Sequence, residues 1–343
     1  MVPLSYFRSA SPTPETTPPR VGVLLVNLGT PARMSLFAVA RYLGQFLRDR
    51  RVIDASPAFW WPLLFGLILP LRSPLALRKY RMVWMSEGSP LAVWSMRLAE
   101  RLRQRLRTDH GDPVRLELAM TYGDPDLDRA LARLMDSRVE RLLVLPLFPQ
   151  YCASTTGAVF DRVCRALNRW RFLPELRFVN QYWSCPTYIR AIADGVRQAW
   201  EQAGARSHLL LSFHGIPQKY VAGGDPYRNH VEGTAARVRQ ELGLGEQDMT
   251  LAFQSRFGKA RWLEPYTRES LVELAKRGIR EVTVAAPSFA VDCLETLEEI
   301  GMQYRAEFAR SGGTLRLVPA LNDSDSHVEV LREVIGQHMA GWA

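Results

Sequence analysis

The sequence predicts an α/β protein made of two doubly wound parallel-sheet domains that face each other across a cleft. Short, almost continuously apolar runs alternate with amphipathic helical patterns, as expected when both faces of a parallel sheet are buried. Three such runs recur in the same order in both halves of the chain. The length of 343 residues also suits two average domains better than one.

The internal repeat rests on three pairs of similar segments. In chain order, the pairs are 23–31 with 209–217, 116–125 with 250–259, and 140–155 with 280–296. The first half carries about 50 more residues than the second between its first two strands. Ligands of such sheets bind beyond the carboxyl ends of the strands, so we expect the turns that follow these strands to converge on one cleft.

The predicted domains follow from this repeat. We expect residues 1–20, rich in Ser, Thr and Pro, to form a flexible tail without the apolar core of a secretory signal. Residues 21–175 are the predicted N-terminal domain, with an apolar insertion at about 43–95, and 176–343 are the C-terminal domain. The apolar run at 59–71 has 13 residues, fewer than the roughly 18 of a membrane span, so we expect no transmembrane segment.

Composition narrows the class of ligand. Lys and Arg total 44 and Asp and Glu 35, and the net charge of +9 suits an anionic ligand or lipid surface. The arginines are scattered over helix faces without an aromatic-basic module, which argues against nucleic acid. Four cysteines without a CxxC pair exclude a disulfide scaffold and fit a reducing compartment. The first strand ends in NLGTPAR, with one glycine, which does not match a dinucleotide-binding turn.

Two candidate groups follow strands of the second half. His214 ends the strand LLLSFH, and the acidic run at 292–299, which includes Glu295 and Glu299, follows the strand EVTVAAPSF. One interpretation is structural: a histidine that caps a turn, and favourable charge at a helix start. The other is functional, because imidazole and carboxylates from two strand ends form an open site for a borderline divalent metal.

The insertion also has two interpretations. It is either an extra buried helical hairpin or a lip that holds a large, flat, apolar ligand and touches a membrane surface. Basic residues flank the apolar run and would suit carboxylates or anionic headgroups. In a lip, we expect the ligand to be buried against Phe59, Trp60, Leu63 and Leu64.

Together, these segments resemble the signature segments of ferrochelatases, which insert ferrous iron into protoporphyrin IX. In chain order they are VNLGTP, WWPLLFGLILPLRSP, GSPL, FPQYCASTTGA, LLLSFHGIPQKY, FQSRFGKARWLEPYT and FAVDCLETLEEI. The resemblance runs from about 21 to about 325 and is strongest to the bacterial, haem b-forming branch. It implies two Rossmann-like domains of the class I chelatase type, with the porphyrin in the cleft between them.

The resemblance further implies a lyase that makes protohaem and releases two protons, in the terminal step of haem b synthesis. His214, Glu295 and Glu299 are then catalytic, and His214 and Glu295 also bind the metal. The implied porphyrin contacts are Leu28, Arg72, Tyr80, Ser89 and Trp262. Iron is a substrate here and no cofactor is expected. Because Cys293 is the one cysteine after Cys185, no [2Fe–2S] cluster is expected either.

Two alternative functions stay open at this point. A chelatase for another metal or tetrapyrrole would need a less apolar lip, and a non-enzymatic haem or porphyrin carrier would not need Glu295 and Glu299. Sequence alone does not set the metal selectivity among iron, cobalt and zinc, the oligomeric state, or whether His214 is mainly a base or a ligand. We expect a cytoplasmic protein, associated peripherally with the inner membrane through an anionic lipid contact of 59–71, with no nucleic-acid partner.

Overall fold

The computed structural model describes residues 7–9, 20–110, 114–258 and 260–342. Its strands are β1 Arg20–Gly29, β2 Val114–Tyr122, β3 Val139–Pro146, β4 Glu175–Phe178, β5 His208–His214, β6 Met249–Gln254, β7 Glu281–Ala285 and β8 Thr314–Leu317. They form two four-stranded parallel sheets, in the orders β2-β1-β3-β4 and β6-β5-β7-β8.

Helices separate the strands on both sides of each sheet. The α-helices are α1 Leu36–Leu47, α2 Pro57–Leu63, α3 Leu69–Val83, α4 Pro90–His110, α5 Leu127–Asp136, α6 Ala158–Leu167, α7 Pro186–Ala203, α8 Gln218–Ala222, α9 Tyr227–Glu241, α10 Thr267–Lys276, α11 Arg305–Arg310 and α12 Asp325–Met339. Three π-helical segments are Leu64–Ile68, Ala153–Gly157 and Glu295–Tyr304, and a 3₁₀ turn is Glu246–Asp248.

The two sheets repeat one topology. Replacing β1–β4 by β5–β8 converts one strand order into the other. The turn after the edge strand repeats as well: the Met120 N–H donates to the Pro125 carbonyl at 2.7 Å, and the Phe253 N–H donates to the Pro265 carbonyl at 2.8 Å. The predicted doubly wound fold and its internal repeat are therefore confirmed.

A continuous apolar core joins the two halves. Leu25 of β1 and Leu211 of β5, both fully buried, belong to the same cluster of packed side chains. Leu102 of α4 and Leu331 of α12 lie in that cluster too, because α12 packs against both α4 and α7. Burial of this much apolar surface stabilises the pairing of the halves and so sets how their strand ends face each other.

The predicted boundaries fall close to element ends. Residue 175 is the first residue of β4, so the chain leaves the first sheet after Phe178. Of the predicted tail, residues 1–6 and 10–19 lie outside the described residues. Within 7–9, the Arg8 N–H donates to the Arg169 carbonyl at 2.8 Å, and the Arg8 carbonyl accepts from Arg171 at 3.0 Å.

The insertion contains a continuous helical segment, Pro57–Val83, which we call the lip helix; it consists of α2, a π-helical turn and α3. By length and composition alone it could cross a membrane. Its inner side packs on α1, where Leu64 is fully buried near Leu47. The Trp60 indole N–H also donates to the Leu47 carbonyl at 2.7 Å. The lip helix is thus anchored to the first domain.

The outer side of the lip helix is exposed and apolar. Between Pro57 and Leu75, its six exposed large apolar side chains are Phe59, Trp61, Phe65, Leu67, Leu71 and Leu75, of which Phe59 is 72% exposed. An exposed face of this kind excludes a wholly buried hairpin. Phe37 of α1, 77% exposed, extends the apolar surface of the insertion.

Candidate functional site

A cavity of about 420 Å³ opens at the carboxyl ends of the strands of both sheets. The last residues of β1 and β5 and the turns after β3, β5, β6 and β7 contribute to its wall, as the strand-end argument predicts. Helices α1 and α3 close it from the side of the insertion. Apolar side chains dominate the wall, and its polar members include Asn27, Gln150, His214, Glu295, Glu298 and Glu299.

His214 ends β5 at this cavity. Its Nδ1 lies 2.7 Å from the carbonyl oxygen of Gly215. Because a carbonyl can only accept, Nδ1 carries the proton and Nε2 keeps its lone pair. A larger residue at position 215 would crowd this turn, since a Cβ there would lie 3.0 Å from both the Gln254 carbonyl and the Trp262 ring. The backbone therefore selects the tautomer of the histidine.

Aromatic side chains surround His214. The rings of Trp262 and Phe289 have their centroids 6.3 Å and 6.2 Å from the imidazole. The Tyr227 hydroxyl donates to the His214 carbonyl at 2.8 Å. Burial raises the pKa of Tyr227, so this donor keeps its proton. The two aromatic rings thus restrict the imidazole of His214, and the Tyr227 hydroxyl fixes its backbone.

Glu295 begins the π-helix Glu295–Tyr304, which follows the turn after β7. Its carbonyl accepts from the side-chain amide of Gln254 at 3.0 Å, which ties the π-helix to the end of β6. Burial raises the pKa of the Tyr80 hydroxyl, and the Glu295 carboxylate adds to that shift. Burial and Glu295 act in the same direction on Tyr42. The negative charge of Glu295 thus faces neutral phenols of the lip and α1.

Glu299 lies one turn further along the π-helix and is heavily hydrogen-bonded. It accepts from the backbone N–H of Ser255 at 2.9 Å and from the Ser255 hydroxyl at 2.6 Å. The Tyr304 hydroxyl donates to it at 2.6 Å. Ser255 has a positive φ of 64°, a conformation that costs energy in a non-glycine residue and that these bonds offset. Glu299 therefore fastens the π-helix to the loop after β6.

The acidic run contains two carboxylates whose roles the sequence did not separate. Glu298, which sequence reasoning did not single out, pairs with Lys79 of α3 at 2.8 Å and lines the cavity. Asp292 is buried and accepts from Thr296 and Asn322, both at 2.8 Å, so it stabilises the turn before the π-helix. The sequence feature that could have indicated Glu298 is its position between Glu295 and Glu299 in the acidic run.

Arg72 and Tyr80 lie on the α3 side of the cavity, as predicted. The Arg72 guanidinium stacks over the Phe257 ring at 4.6 Å and has no carboxylate partner among the described residues. Tyr80 packs edge-on against Trp84, with ring centroids 6.0 Å apart. Leu28, at the end of β1, lines the opposite wall.

Several predicted contacts lie away from the described cavity wall. Ser89 is buried at the start of α4, where its hydroxyl accepts from the Ala92 N–H at 3.3 Å, so it caps a helix. Trp262 is 4% exposed and packs behind His214 rather than lining the cavity. The four apolar residues predicted to bury the ligand, Phe59, Trp60, Leu63 and Leu64, do not line it either. Their places are taken by side chains of α1 and α3, including Tyr42, Leu43, Phe46 and Ala76.

The metal-binding potential of the site is limited to a few groups. Within the described ranges, no cluster of three or more His, Cys, Asp or Glu side chains could hold a metal ion. An imidazole and carboxylates at the edge of an apolar cavity suit a transient metal better than a tightly held one. All four cysteines have free thiols, and burial raises the pKa of Cys152 to about 12.

Solved structures with the same fold are chelatases. SirB from Bacillus subtilis, in a structure with Fe3+, superposes with a TM-score of 0.57 at 10% identity, over 94% of this chain and 96% of SirB. CbiX, described as the terminal enzyme of sirohaem biosynthesis in denitrifying bacteria, gives 0.50 at 16% identity, over 92% and 98%. These likenesses concern the fold, which is that of a class I chelatase with two Rossmann-like domains.

Sequence comparison is more specific. A model of the ferrochelatase family matches residues 20–339. The ferrochelatase of Photobacterium profundum is 44% identical over 94% of this chain and 98% of its own length. That of Bordetella pertussis is 45% identical over 96% and 91%. The chain belongs to the ferrochelatase family. Its activity is the insertion of iron into protoporphyrin for haem synthesis. This activity excludes the two alternative functions, a non-enzymatic haem or porphyrin carrier and a chelatase for another metal or tetrapyrrole.

Proposed function

We propose that His214 and Glu295 perform the insertion at one wall of the cavity while Leu28 and the lip hold protoporphyrin IX against them. The observation that carries this proposal is the hydrogen bond from His214 Nδ1 to Gly215, which leaves the Nε2 lone pair available beside the acidic π-helix. The reaction is of the lyase class: protoporphyrin and Fe²⁺ give protohaem and two protons.

Two pyrrole N–H protons have to leave as the metal enters the ring. Neutral His214 accepts the two protons one after the other at Nε2, and the Glu295 carboxylate takes each on toward solvent. Before that step, Nε2 and the Glu295 carboxylate bind Fe²⁺ while leaving exchangeable positions, and Nε2 becomes free to accept a proton once the metal has passed to the ring. Glu299 holds the π-helix in place through its bonds to Ser255 and Tyr304.

The porphyrin orientation follows from charge. Protoporphyrin has two apolar faces and one edge with two propionates. Arg72, which lies at the cavity without a described carboxylate partner, binds a propionate, and its stacking on Phe257 keeps the guanidinium in place. Leu28 and Tyr80 contact the faces of the ring. Trp262 supports His214 from behind.

An anaerobic assay with protoporphyrin IX and Fe²⁺, followed by the optical spectrum of haem, tests the assignment. His214→Ala should abolish insertion while porphyrin binding, measured by fluorescence, survives. His208→Ala is a matched control because His208 starts the same strand, where it bonds to Thr250 at 2.9 Å, and it should keep its activity. Near-normal turnover of His214→Ala would remove the central residue from the mechanism.

We also propose that the protein is cytoplasmic and docks peripherally on an anionic membrane through the outer face of the lip helix. Six large apolar side chains on that face are exposed, while the inner face packs on α1. Lys79, near the end of the lip helix, pairs with Glu298 of the second half, so a span across the bilayer would have to break this contact. Basic residues along the segment attract anionic headgroups.

Vesicle flotation tests the docking proposal. Replacing Phe59, Phe65 and Leu67 by Ser should abolish binding to vesicles that contain anionic lipid, because apolar area at the interface drives insertion. A control that replaces the exposed pair Phe172 and Leu173 by Ser removes apolar surface elsewhere and should float like the parent. Equal flotation of both variants would refute docking through the lip.

A further inference from the structure

An ion pair connects the lip with the acidic π-helix across the chain. The Lys79 ammonium lies 2.8 Å from the Glu298 carboxylate, and the two residues are 219 positions apart. Lys79 belongs to α3 in the first half and Glu298 to the π-helix of the second. Both side chains line the cavity. The pair is therefore a charged contact between two walls of the site.

The pair is unusual in its burial. The Glu298 side chain is 6% exposed, whereas the Lys79 side chain is 40% exposed. A carboxylate removed from water is costly unless a cation compensates for it, so separating the pair leaves an unpaired buried charge. Because an unpaired Glu298 carboxylate is unfavourable, the arrangement in which α3 packs against the π-helix is favoured. In other ion pairs of the described chain, such as Arg97–Glu87, Arg197–Asp194 and Arg228–Glu232, both partners are well exposed, and such pairs contribute little.

The neighbours of the pair are the residues assigned to the reaction. Lys79 precedes Tyr80 and lies two turns after Arg72 on α3. Glu298 lies between Glu295 and Glu299 on the π-helix. Any movement that separates Lys79 from Glu298 therefore moves the residues for the porphyrin away from those for the metal.

A second contact holds the other end of the insertion. The Tyr220 hydroxyl donates to the Val52 carbonyl at 3.0 Å and accepts from the Asp54 N–H at 3.3 Å. These hydrogen bonds, together with the exposed Lys219–Asp54 pair at 3.9 Å, and the Lys79–Glu298 pair thus attach the two ends of the insertion to the second half. At the cavity wall, α3 contacts the second half through this ion pair and through the stacking of Arg72 on Phe257, and of these two the ion pair is the contact with the π-helix.

We propose that Lys79 and Glu298 are positioning residues that close α3 onto the π-helix over bound porphyrin and set the rate at which it leaves. The inference rests on the proposed porphyrin site. When the pair is formed, the wall that carries Arg72 and Tyr80 faces the wall that carries His214 and Glu295 across the bound porphyrin. When it separates, the flat ligand enters or leaves.

Porphyrin dissociation without iron is the direct measurement. Protein loaded with protoporphyrin IX is mixed with an excess of apomyoglobin as a trap, and fluorescence reports the release rate. Lys79→Met and Glu298→Gln should each raise that rate about tenfold, because the loss of either partner removes the charged contact between the two walls that the ligand has to pass. Each should also raise KM for porphyrin while kcat changes less than threefold.

The double exchange Lys79→Glu with Glu298→Lys should bring the release rate back to within about threefold of the parent. Asp161→Asn is the matched control: it breaks the exposed Arg51–Asp161 pair within the first half and should leave release unchanged. Glu298→Gln keeps the shape of the side chain and removes the buried charge, so it tests the idea even if Lys79→Met folds poorly.

The possible results separate two failures. A merely structural pair would lower the melting temperature of the single variants without changing porphyrin release, and this result would overturn the proposal. Single variants with fast release that the exchange does not restore would overturn it too. If the parent protein itself does not bind protoporphyrin, the proposed porphyrin site is wrong, and the proposed role of the pair is then wrong as well.

Discussion

Glu295 and Glu299, four residues apart on one π-helix, should respond differently to the loss of their charge. Glu299 accepts three hydrogen bonds of 2.9 Å or less, two from Ser255 and one from Tyr304. Hydrogen bonds to a charged group contribute about 1.5–3 kcal/mol each. In Glu299→Gln, the amide nitrogen replaces one accepting oxygen, so about one or two of these bonds are lost. We expect the free energy of unfolding to fall by about 3 kcal/mol.

Glu295→Gln should have the opposite profile. Glu295 lines the cavity and is fixed through its backbone carbonyl, which the substitution keeps. Its free energy of unfolding should change by less than about 1 kcal/mol. Loss of a positioned proton acceptor typically costs a hundredfold or more in rate, so turnover should fall by about that factor. Glu299→Gln should lose turnover only to the extent that the π-helix shifts, by about tenfold.

Urea unfolding and the anaerobic haem assay measure the two quantities on the same preparations. Glu307→Gln, which breaks the surface pair with Arg268, is a control for the loss of a carboxylate and should change neither by much. If Glu299→Gln is as stable as the parent and loses as much turnover as Glu295→Gln, Glu299 belongs to the proton path and does not act as an anchor.

Three further outcomes are expected. Arg72→Ala should raise KM for protoporphyrin about tenfold with little change in kcat, and the difference should vanish with a porphyrin dimethyl ester, which lacks propionate charge. Burial lowers the pKa of His327 to about 4, so below pH 6.5 the unfolded chain takes up a proton that the folded chain refuses. The free energy of unfolding should therefore fall by about 3 kcal/mol between pH 6.5 and 4, and His327→Asn should flatten that slope in denaturant titrations. Purified protein should contain no stoichiometric acid-labile sulfide, since we propose that it carries no [2Fe–2S] cluster.

Periodicity and repetition were enough to predict the fold and the wall that carries His214 and Glu295. Parallel strands buried on both faces are apolar throughout, and the sites of such sheets lie at strand ends, so two local patterns locate the chemistry. The first part of the lip helix, 57–71, was harder to predict because its sequence is apolar on every side. Trp60 and Leu64 face α1, whereas Phe59 and Phe65 face outward, and only packing separates the two sets.

Contacts between distant segments of the chain could not be predicted from the sequence either. Lys79 is one of several basic residues in its segment, and no local pattern connects it with Glu298. Ser89 and Trp262 follow the family motif in sequence, yet one caps α4 and the other packs behind the histidine. A motif specifies which residue type occurs at a position, whereas the distance to a cavity depends on how the surrounding helices pack.

The repeat accounts for the asymmetry of the cavity. Leu28, next to the last residue of β1, and His214, the last residue of β5, occupy corresponding positions in the repeated segments, and each is followed by a glycine. A Cβ at Gly29 would meet the carbonyl oxygen of Tyr122 in β2, and a Cβ at Gly215 would meet that of Gln254 in β6. The two turns differ in backbone conformation, because Gly29 has a positive φ of 107° and Gly215 does not, and the side chain before each glycine differs as well. An apolar residue at one position and an imidazole at the other give the cavity one wall that contacts the face of a flat ring and another that can accept its protons.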